Sequence, residues 1–346
     1  MDRIGRLEKT VQQLACADGR LPGSPGHVAA RARLVERLSG LGIEGYCDGS
    51  YEAPYTADGV SFVNVLAQTR GKNEAADPLL LAAHYDTCGP FPGADDNAAA
   101  IAILLNVAER LQQEPAERPV ILAFFDAEEP PYYLTPAMGS IHFYHHQRRS
   151  PIHCAIALDL CGHDVPLPGL EDLLFITGME SDPGWPGVLE RCAPGVPIRL
   201  IPTLNRYIGD LSDHHVFRMH QRPYLFLSCG RWEHYHQPTD TPDRLNYEKT
   251  ASIADLVFRM AVEAACVPLD GPFEGYDPID TELLFIHKAV GPFLESLGFS
   301  PRNRGDLDMM VQTLVDQFGL CLAASPTARW AGPWLFAVSR ASTTRW

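Results

Sequence analysis

The chain has 346 residues, 46% hydrophobic and 21% charged, values that exclude a mainly disordered protein and allow about two domains. Its 43 acidic against 28 basic residues leave a net charge of −15, which repels phosphate backbones and anionic lipid, so neither nucleic acid nor a membrane surface is expected as a partner. No apolar run approaches the ~18 residues a membrane helix needs, and the charged N-terminus shows no secretory signal, so the chain reads as cytoplasmic.

The first ~45 residues read as helical, with Val28, Leu34, Val35 and Leu38 near one face and Gly40 as a stop. The run Gly40-Leu-Gly-Ile-Glu-Gly45 fits a dinucleotide fingerprint in letters only, because it follows a helix rather than a strand. Strand-like runs then recur at 61–67, 79–84, 119–126, 155–160, 173–178, 198–201 and 224–229. Several are apolar on both faces, as in a sheet covered on two sides. Helical patterns lie between them, at 97–113, 138–148, 182–192 and 247–266; His142, His145 and His146 fall on the solvated face of the second. Strand alternating with helix predicts a three-layer α/β/α sandwich with a mostly parallel central sheet over residues 1–266.

A Pro/Gly/acid stretch follows at 267–278 and reads as a linker. Residues 267–346 read as a mainly helical C-terminal extension, with amphipathic helices at 281–297 and 306–318 and a last apolar stretch bearing Trp330, Trp334 and Phe336. It is expected to be a packed appendage or a homodimer contact. The nine cysteines, Cys321 in the extension included, contain no C-x-x-C pair and read as reduced, mostly buried thiols.

Five acid/histidine signals fall at or just after the C-terminal ends of predicted strands, the edge of a parallel sheet where ligands bind. His84 and Asp86 are two residues apart in an extended run and face the same way, so one can ligate a metal while the other fixes its ring. Asp95 and Asp96 stand in a turn running into a helix, where N-capping is the competing explanation. Glu128 and Glu129 close the most apolar strand and point to opposite sides, one toward a metal and one toward substrate as a general base. Asp159 ends a buried strand, and His234, His236, Asp240 and Asp243 share a late loop. Burying these carboxylates without a cation would cost several kcal/mol. The N/O set suits zinc, with manganese or cobalt as alternatives, and its lack of thiolates argues against a structural zinc or iron–sulfur site.

In order and spacing, Ala83-His-Tyr-Asp-Thr87, Pro92-Gly-Ala-Asp-Asp-Asn97, Phe124-Phe-Asp-Ala-Glu-Glu-Pro130, Met138-Gly-Ser140, Ala157-Leu-Asp-Leu160, Ser212-Asp-His-His-Val-Phe217 and His236-Gln-Pro-Thr-Asp-Thr-Pro-Asp243 resemble the di-zinc aminopeptidase family of zinc-dependent exopeptidases. That family also contains the glutaminyl cyclases. The resemblance spans about residues 15–266, from Gly19-Arg-Leu-Pro-Gly-Ser-Pro-Gly26 onward. It implies that His84 and Asp159 serve one zinc, Glu129 and His236 the other, and Asp96 bridges them across a cis Asp96–Asn97 peptide. It further implies Glu128 as general base, Asp86 as partner of His84, and Asp213 as an acid beside the metals. The implied activity is hydrolysis of the N-terminal bond of a peptide or small aminoacyl substrate, with two ions, or one.

Residues 130–138 are longer than in plain aminopeptidases and aromatic, a feature of the cyclases, whereas Asp95 and the His-Gln-Pro-Thr-Asp-Thr run look peptidase-like. A glutaminyl cyclase-like aminoacyltransferase and a non-catalytic scaffold retaining the fold are therefore the alternatives to an aminopeptidase. Tyr207, Trp232 and Tyr235 are further candidates for the substrate pocket.

Overall fold

The computed structural model describes residues 2–272 and 275–318. Cys321, Trp330, Trp334 and Phe336 lie outside the described residues. The helices are α1 (Arg3–Leu14), α2 (Pro25–Gly40), α3 (Ala100–Gln113), α4 (Gly139–His142), α5 (Trp185–Cys192), α6 (Asn205–Ile208), α7 (His215–Met219), α8 (Tyr247–Ala264), α9 (Ile279–Ser296) and α10 (Arg304–Phe318). The strands are β1 (Glu44–Gly45), β2 (Glu52–Ala57), β3 (Val60–Thr69), β4 (Leu79–His84), β5 (Val120–Phe125), β6 (Ala155–Leu158), β7 (Leu173–Thr177), β8 (Arg199–Thr203) and β9 (Tyr224–Ser228).

They form one nine-stranded sheet in the order β1-β3-β5-β4-β6-β9-β7-β8, with β2 paired to β3. The centre, β5-β4-β6-β9, is parallel, while β3 joins β5, and β7 joins β9, antiparallel. Alternation along β4 explains the layers. Leu79, Leu81 and Ala83 face a core completed by Leu7, Leu34, Leu104, Val107 and Ile253 of the helices. Leu80 and Ala82 face the opposite side, against Phe143, Val216, Phe217 and Phe226. Both faces of every central strand are thus buried, and the expected α/β/α sandwich is the observed fold.

Local chemistry starts the helices: Asp2, Ser24 and Asn246 accept backbone N–H bonds at the N-termini of α1, α2 and α8, and Pro25 occupies the first turn of α2. The glycine run at 40–45 is the turn from α2 into β1, not a nucleotide loop. Helix α9 packs on β8, and its Phe285, Ile286, Ala289 and Leu294 join the main core. Among the described cysteines, Cys154, Cys161, Cys192 and Cys229 are buried, Cys16, Cys47 and Cys88 are partly exposed and Cys266 is exposed, fewer buried thiols than expected. No helix among the described residues is long and apolar enough to cross a membrane.

His214, fully buried under β9, carries a pH dependence. Its Nε2 lies 3.1 Å from Asn205 Oδ1, its ring stacks on Phe226 at 4.4 Å, and burial pushes its pKa down to about 4. The unfolded chain protonates this ring near 6.5, so the contribution to stability is complete above about 6.5 and is lost as the pH falls toward 4. Urea unfolding should show wild type losing up to about 3 kcal/mol more than His214→Phe between pH 7 and pH 4.5. Equal losses would remove His214 from the acid response.

Candidate metal centre

The four parallel central strands end on one edge, and each delivers an acid or histidine there. Strand β4 ends on His84; β5 is followed by Asp126, Ala127, Glu128 and Glu129; β6 is followed by Asp159; and the loop after β9 carries His236. The chain bends sharply at these exits, since Ala127, Leu160 and His236 all have positive φ (55°, 53° and 56°). Asp96 comes from the irregular turn Ala94–Ala99 before α3, where the Asp96–Asn97 peptide is cis and both residues depart from helical geometry.

These side chains converge in two halves. His84 Nε2 lies 3.2 Å from Asp96 Oδ1, 3.5 Å from Asp159 Oδ1 and 3.9 Å from Glu128 Oε2. His236 Nε2 lies 3.0 Å from Asp96 Oδ2 and 3.1 Å from Glu129 Oε2. Asp96 therefore presents one oxygen to each half. Donors around a tetrahedral zinc sit roughly 3.3 Å apart, given Zn–N and Zn–O bonds of ~2.0–2.1 Å, so both halves have the spacing of a cation's ligand shell.

The electrostatics favour a bound cation. Burial pushes the carboxyls of Glu128, Glu129, Asp159 and Asp213 upward, those of Glu129 and Asp213 to about 7. Burial opposes ionisation of Asp96 too, but the close approach and charge of His236 and His84 outweigh it and hold Asp96 well below the carboxylate range. Both histidines are raised despite burial, His84 by the charges of Glu128 and Asp159 and His236 by Glu129 and Asp96. His84 Nε2, Glu128 Oε1 and Asp159 Oδ1 are buried without a well-formed hydrogen bond. Orphaned atoms of this kind among excess carboxylates fit a divalent cation in the His84 half, and the spacing of Asp96 and Glu129 about His236 fits one in the other.

A second layer holds the first. Asp86 accepts from the backbone N–H of Glu128 (3.2 Å) and Glu129 (3.0 Å), and its Oδ1 is 3.4 Å from His84 Nδ1. One carboxylate thus fixes both sides of the site. Asp240 accepts from the N–H of Asp95 (2.9 Å) and Asp96 (3.1 Å). Asp95 points away from the cluster, taking Gly162 N–H at 2.6 Å and meeting His163 Nδ1 at 2.6 Å. Asn97 donates to Leu158 O at 2.9 Å, tying the turn to β6.

The candidate pocket residues separate. Tyr235 stacks on His236 at 3.7 Å, lies under Arg231, and walls a pocket beside Asp159 together with Leu160, Ile208 and Leu211. Trp232 stacks on His163 at 4.5 Å, outside that wall. Asp213 is buried close enough to His84 and Asp159 for their charges to act on it. Tyr207 is not brought to the cluster: α6 turns its hydroxyl onto Asp308 and Arg304 of α10, where it borders an apolar cavity of about 540 Å³ between α9, α10 and the sheet edge.

Two residues near the cluster escaped the sequence reading. Arg20 is wholly buried and donates to five backbone carbonyls, among them Tyr85 O (2.7 Å) and Asp96 O (3.2 Å). Its only sequence signal is its place in the Gly19–Gly26 run. Cys88 brings a thiol to the Glu129–His236 half, so the donor set is not free of sulfur as expected.

A family profile described as peptidase family M28 matches residues 64–261. The chain is 28% identical over 288 residues to the uncharacterized protein YfbL of Escherichia coli (strain K12), covering 74% of this chain and 86% of that one. A leucine aminopeptidase precursor from Bacteroides thetaiotaomicron VPI-5482 superposes with a TM-score of 0.59 at 17% identity, covering 75% of this chain and 96% of that one. A glutaminyl cyclase from Fimbriiglobus ruber superposes with a TM-score of 0.60 at 22% identity, covering 75% and 95%. The two superpositions each cover 75% of this chain and establish a common fold.

Proposed function

The chain belongs to peptidase family M28, and from that premise we propose that it is a zinc-dependent aminopeptidase that uses two metal ions. His84, Asp159 and Asp96 would hold one ion, and His236, Glu129 and Asp96 the other. The observation that carries this reading is the Asp96 carboxylate, with one oxygen 3.2 Å from His84 and the other 3.0 Å from His236. Bound there, divalent cations supply Lewis acidity and a water acidic enough to ionise near neutral pH.

The remaining work falls to the chain's own groups. Glu128, whose burial keeps its proton affinity high, takes a proton from the attacking water and passes it to the departing amine. Asp86 holds the His84 ring and the Glu128 and Glu129 backbone in one frame. The surplus of carboxylates attracts a substrate's free α-ammonium group, which makes the activity exopeptidic. The pocket beside Asp159, walled by Leu160, Phe175, Leu211 and Phe226, would receive an apolar first side chain.

A glutaminyl cyclase reading has one observation in its favour: residues 130–138 bring Tyr133 near enough to Glu128 and Asp159 for their charges to act on it. The complete His84–Asp159 half favours the peptidase. Metal content per chain, measured with hydrolysis of leucyl-anilide and its N-acetyl form, tests the proposal. Two zinc ions and at least a hundredfold preference for the free amine are expected. Conversion of N-terminal glutaminyl peptides with no anilide hydrolysis would replace it with the cyclase.

A further inference from the structure

The loop between β4 and the Asp96 turn carries Cys88, four residues beyond His84. Its Sγ, a Glu129 carboxylate oxygen and a His236 ring nitrogen all lie within 4.8 Å of one another. The thiol is also within hydrogen-bonding reach of His236. His236 Nε2 also faces Asp96 Oδ2 at 3.0 Å and Glu129 Oε2 at 3.1 Å, so His236 has a sulfur and two carboxylate oxygens as neighbours. Among the described residues, no other cysteine takes part in a cluster of three metal-binding side chains. The clusters that contain His84, with Glu128 and Asp159 and with Asp96 and Glu129, have no sulfur.

We infer that Cys88 is a thiolate ligand of the ion held by His236, Glu129 and Asp96, and that it makes the two metal positions chemically unequal. The inference rests on the metal centre proposed above. On ligation the S–H bond breaks, its proton leaves to solvent, and the sulfur lone pair forms the bond to the ion; no electron is transferred. With Cys88 added to His236, Glu129 and Asp96, four protein donors would fill a tetrahedral position, as in structural zinc sites, whereas the His84–Asp159–Asp96 position would keep room for water and substrate. The sulfur-bearing ion is therefore the tightly kept, organising one, and the other is the exchangeable ion at which substrate is met. A soft sulfur ligand also favours zinc or cobalt over manganese at that position.

Cobalt(II) loading of the metal-stripped full chain tests this without recourse to activity. The expected spectrum has visible d–d bands and, once the tighter equivalent is filled, a near-ultraviolet sulfur-to-cobalt charge-transfer band. Cys88→Ser should abolish that band, keep the d–d bands, and weaken the tighter of two zinc equivalents at least tenfold in chelator competition. The looser equivalent should be unchanged. Cys88→Ala, checked by thermal unfolding, serves as a second variant, and the wild-type spectrum decides even if neither variant folds. Wild-type protein that binds two cobalt ions with no sulfur band overturns the Cys88 assignment and leaves the proposed centre standing. A chain that binds no divalent cation overturns both.

Discussion

Glu128→Gln is expected to lower kcat/KM on a leucyl-anilide by about 10²–10⁴-fold while metal content stays at the wild-type level. The substitution preserves shape and burial and removes only the ability to accept a proton. Glu128 sits where a base should. Its Oε2 is 3.9 Å from His84 Nε2, farther than the Asp96 or Asp159 oxygens, and its Oε1 has no hydrogen-bond partner. Burial raises its pKa well above that of an ordinary glutamate, which suits a group that must both take and return a proton near neutrality. Glu128 also belongs to a three-residue cluster with His84 and Asp159, so a role as ligand is the competing explanation. The two roles separate in a paired measurement of rate and metal content. Loss of a metal equivalent in the variant would make Glu128 a ligand, and an unchanged rate would remove it from catalysis altogether.

What the sequence disclosed follows from how each feature is encoded. Strands β4, β5, β6 and β9 are buried on both faces and read as plain apolar runs, so the central sheet was visible within a residue or two of its bounds. Strand β2 was missed. It pairs only with β3 and alternates exposed and buried around Pro54, a pattern shared with loops. The short helices α6 and α7 are too brief for any periodicity to register. Among site residues, Asp95 and Asp96 are indistinguishable by spacing, and only the turn sends Asp96 to both histidines and Asp95 to His163. Tyr207 illustrates the opposite failure, since nearness to Ser212-Asp-His in the chain did not survive the turn of α6. Cys88 and Arg20 carried no spacing signal. A single thiol defines no metal motif until a fold supplies its partners, and Arg20 is bound by carbonyls, which every residue has.

Arg20→Met is expected to destabilise the chain by about 4 kcal/mol or more and to strip metal from the site, read by urea unfolding and by metal content. Arg20 has no accessible surface, yet none of its hydrogen bonds goes to a side-chain carboxylate. Its guanidinium donates instead to Leu14 O (3.1 Å), Tyr85 O (2.7 Å), Pro92 O (2.6 Å), Gly93 O (3.0 Å) and Asp96 O (3.2 Å), and its backbone N–H to Thr87 Oγ1 (2.7 Å). Burial lowers its pKa, and the charges of Asp96, Asp240 and Asp86 work against that, so the cation partly offsets the carboxylates behind the site. Two of the carbonyls matter most: Tyr85 follows His84, a proposed ligand, and Asp96 is the residue facing both histidines. Methionine fills the volume but donates nothing, leaving buried acceptors at roughly 1–3 kcal/mol each and untying the turns that carry His84 and Asp96. Lysine restores the charge with three donors instead of a planar five-donor fork, so Arg20→Lys should fall between wild type and Arg20→Met in both readouts. If charge alone mattered, the lysine variant would match wild type in metal content. If Arg20 only filled space, the methionine variant would. The geometry favours neither, because the donors reach the two separate segments that carry His84 and Asp96, which no single ammonium group can span.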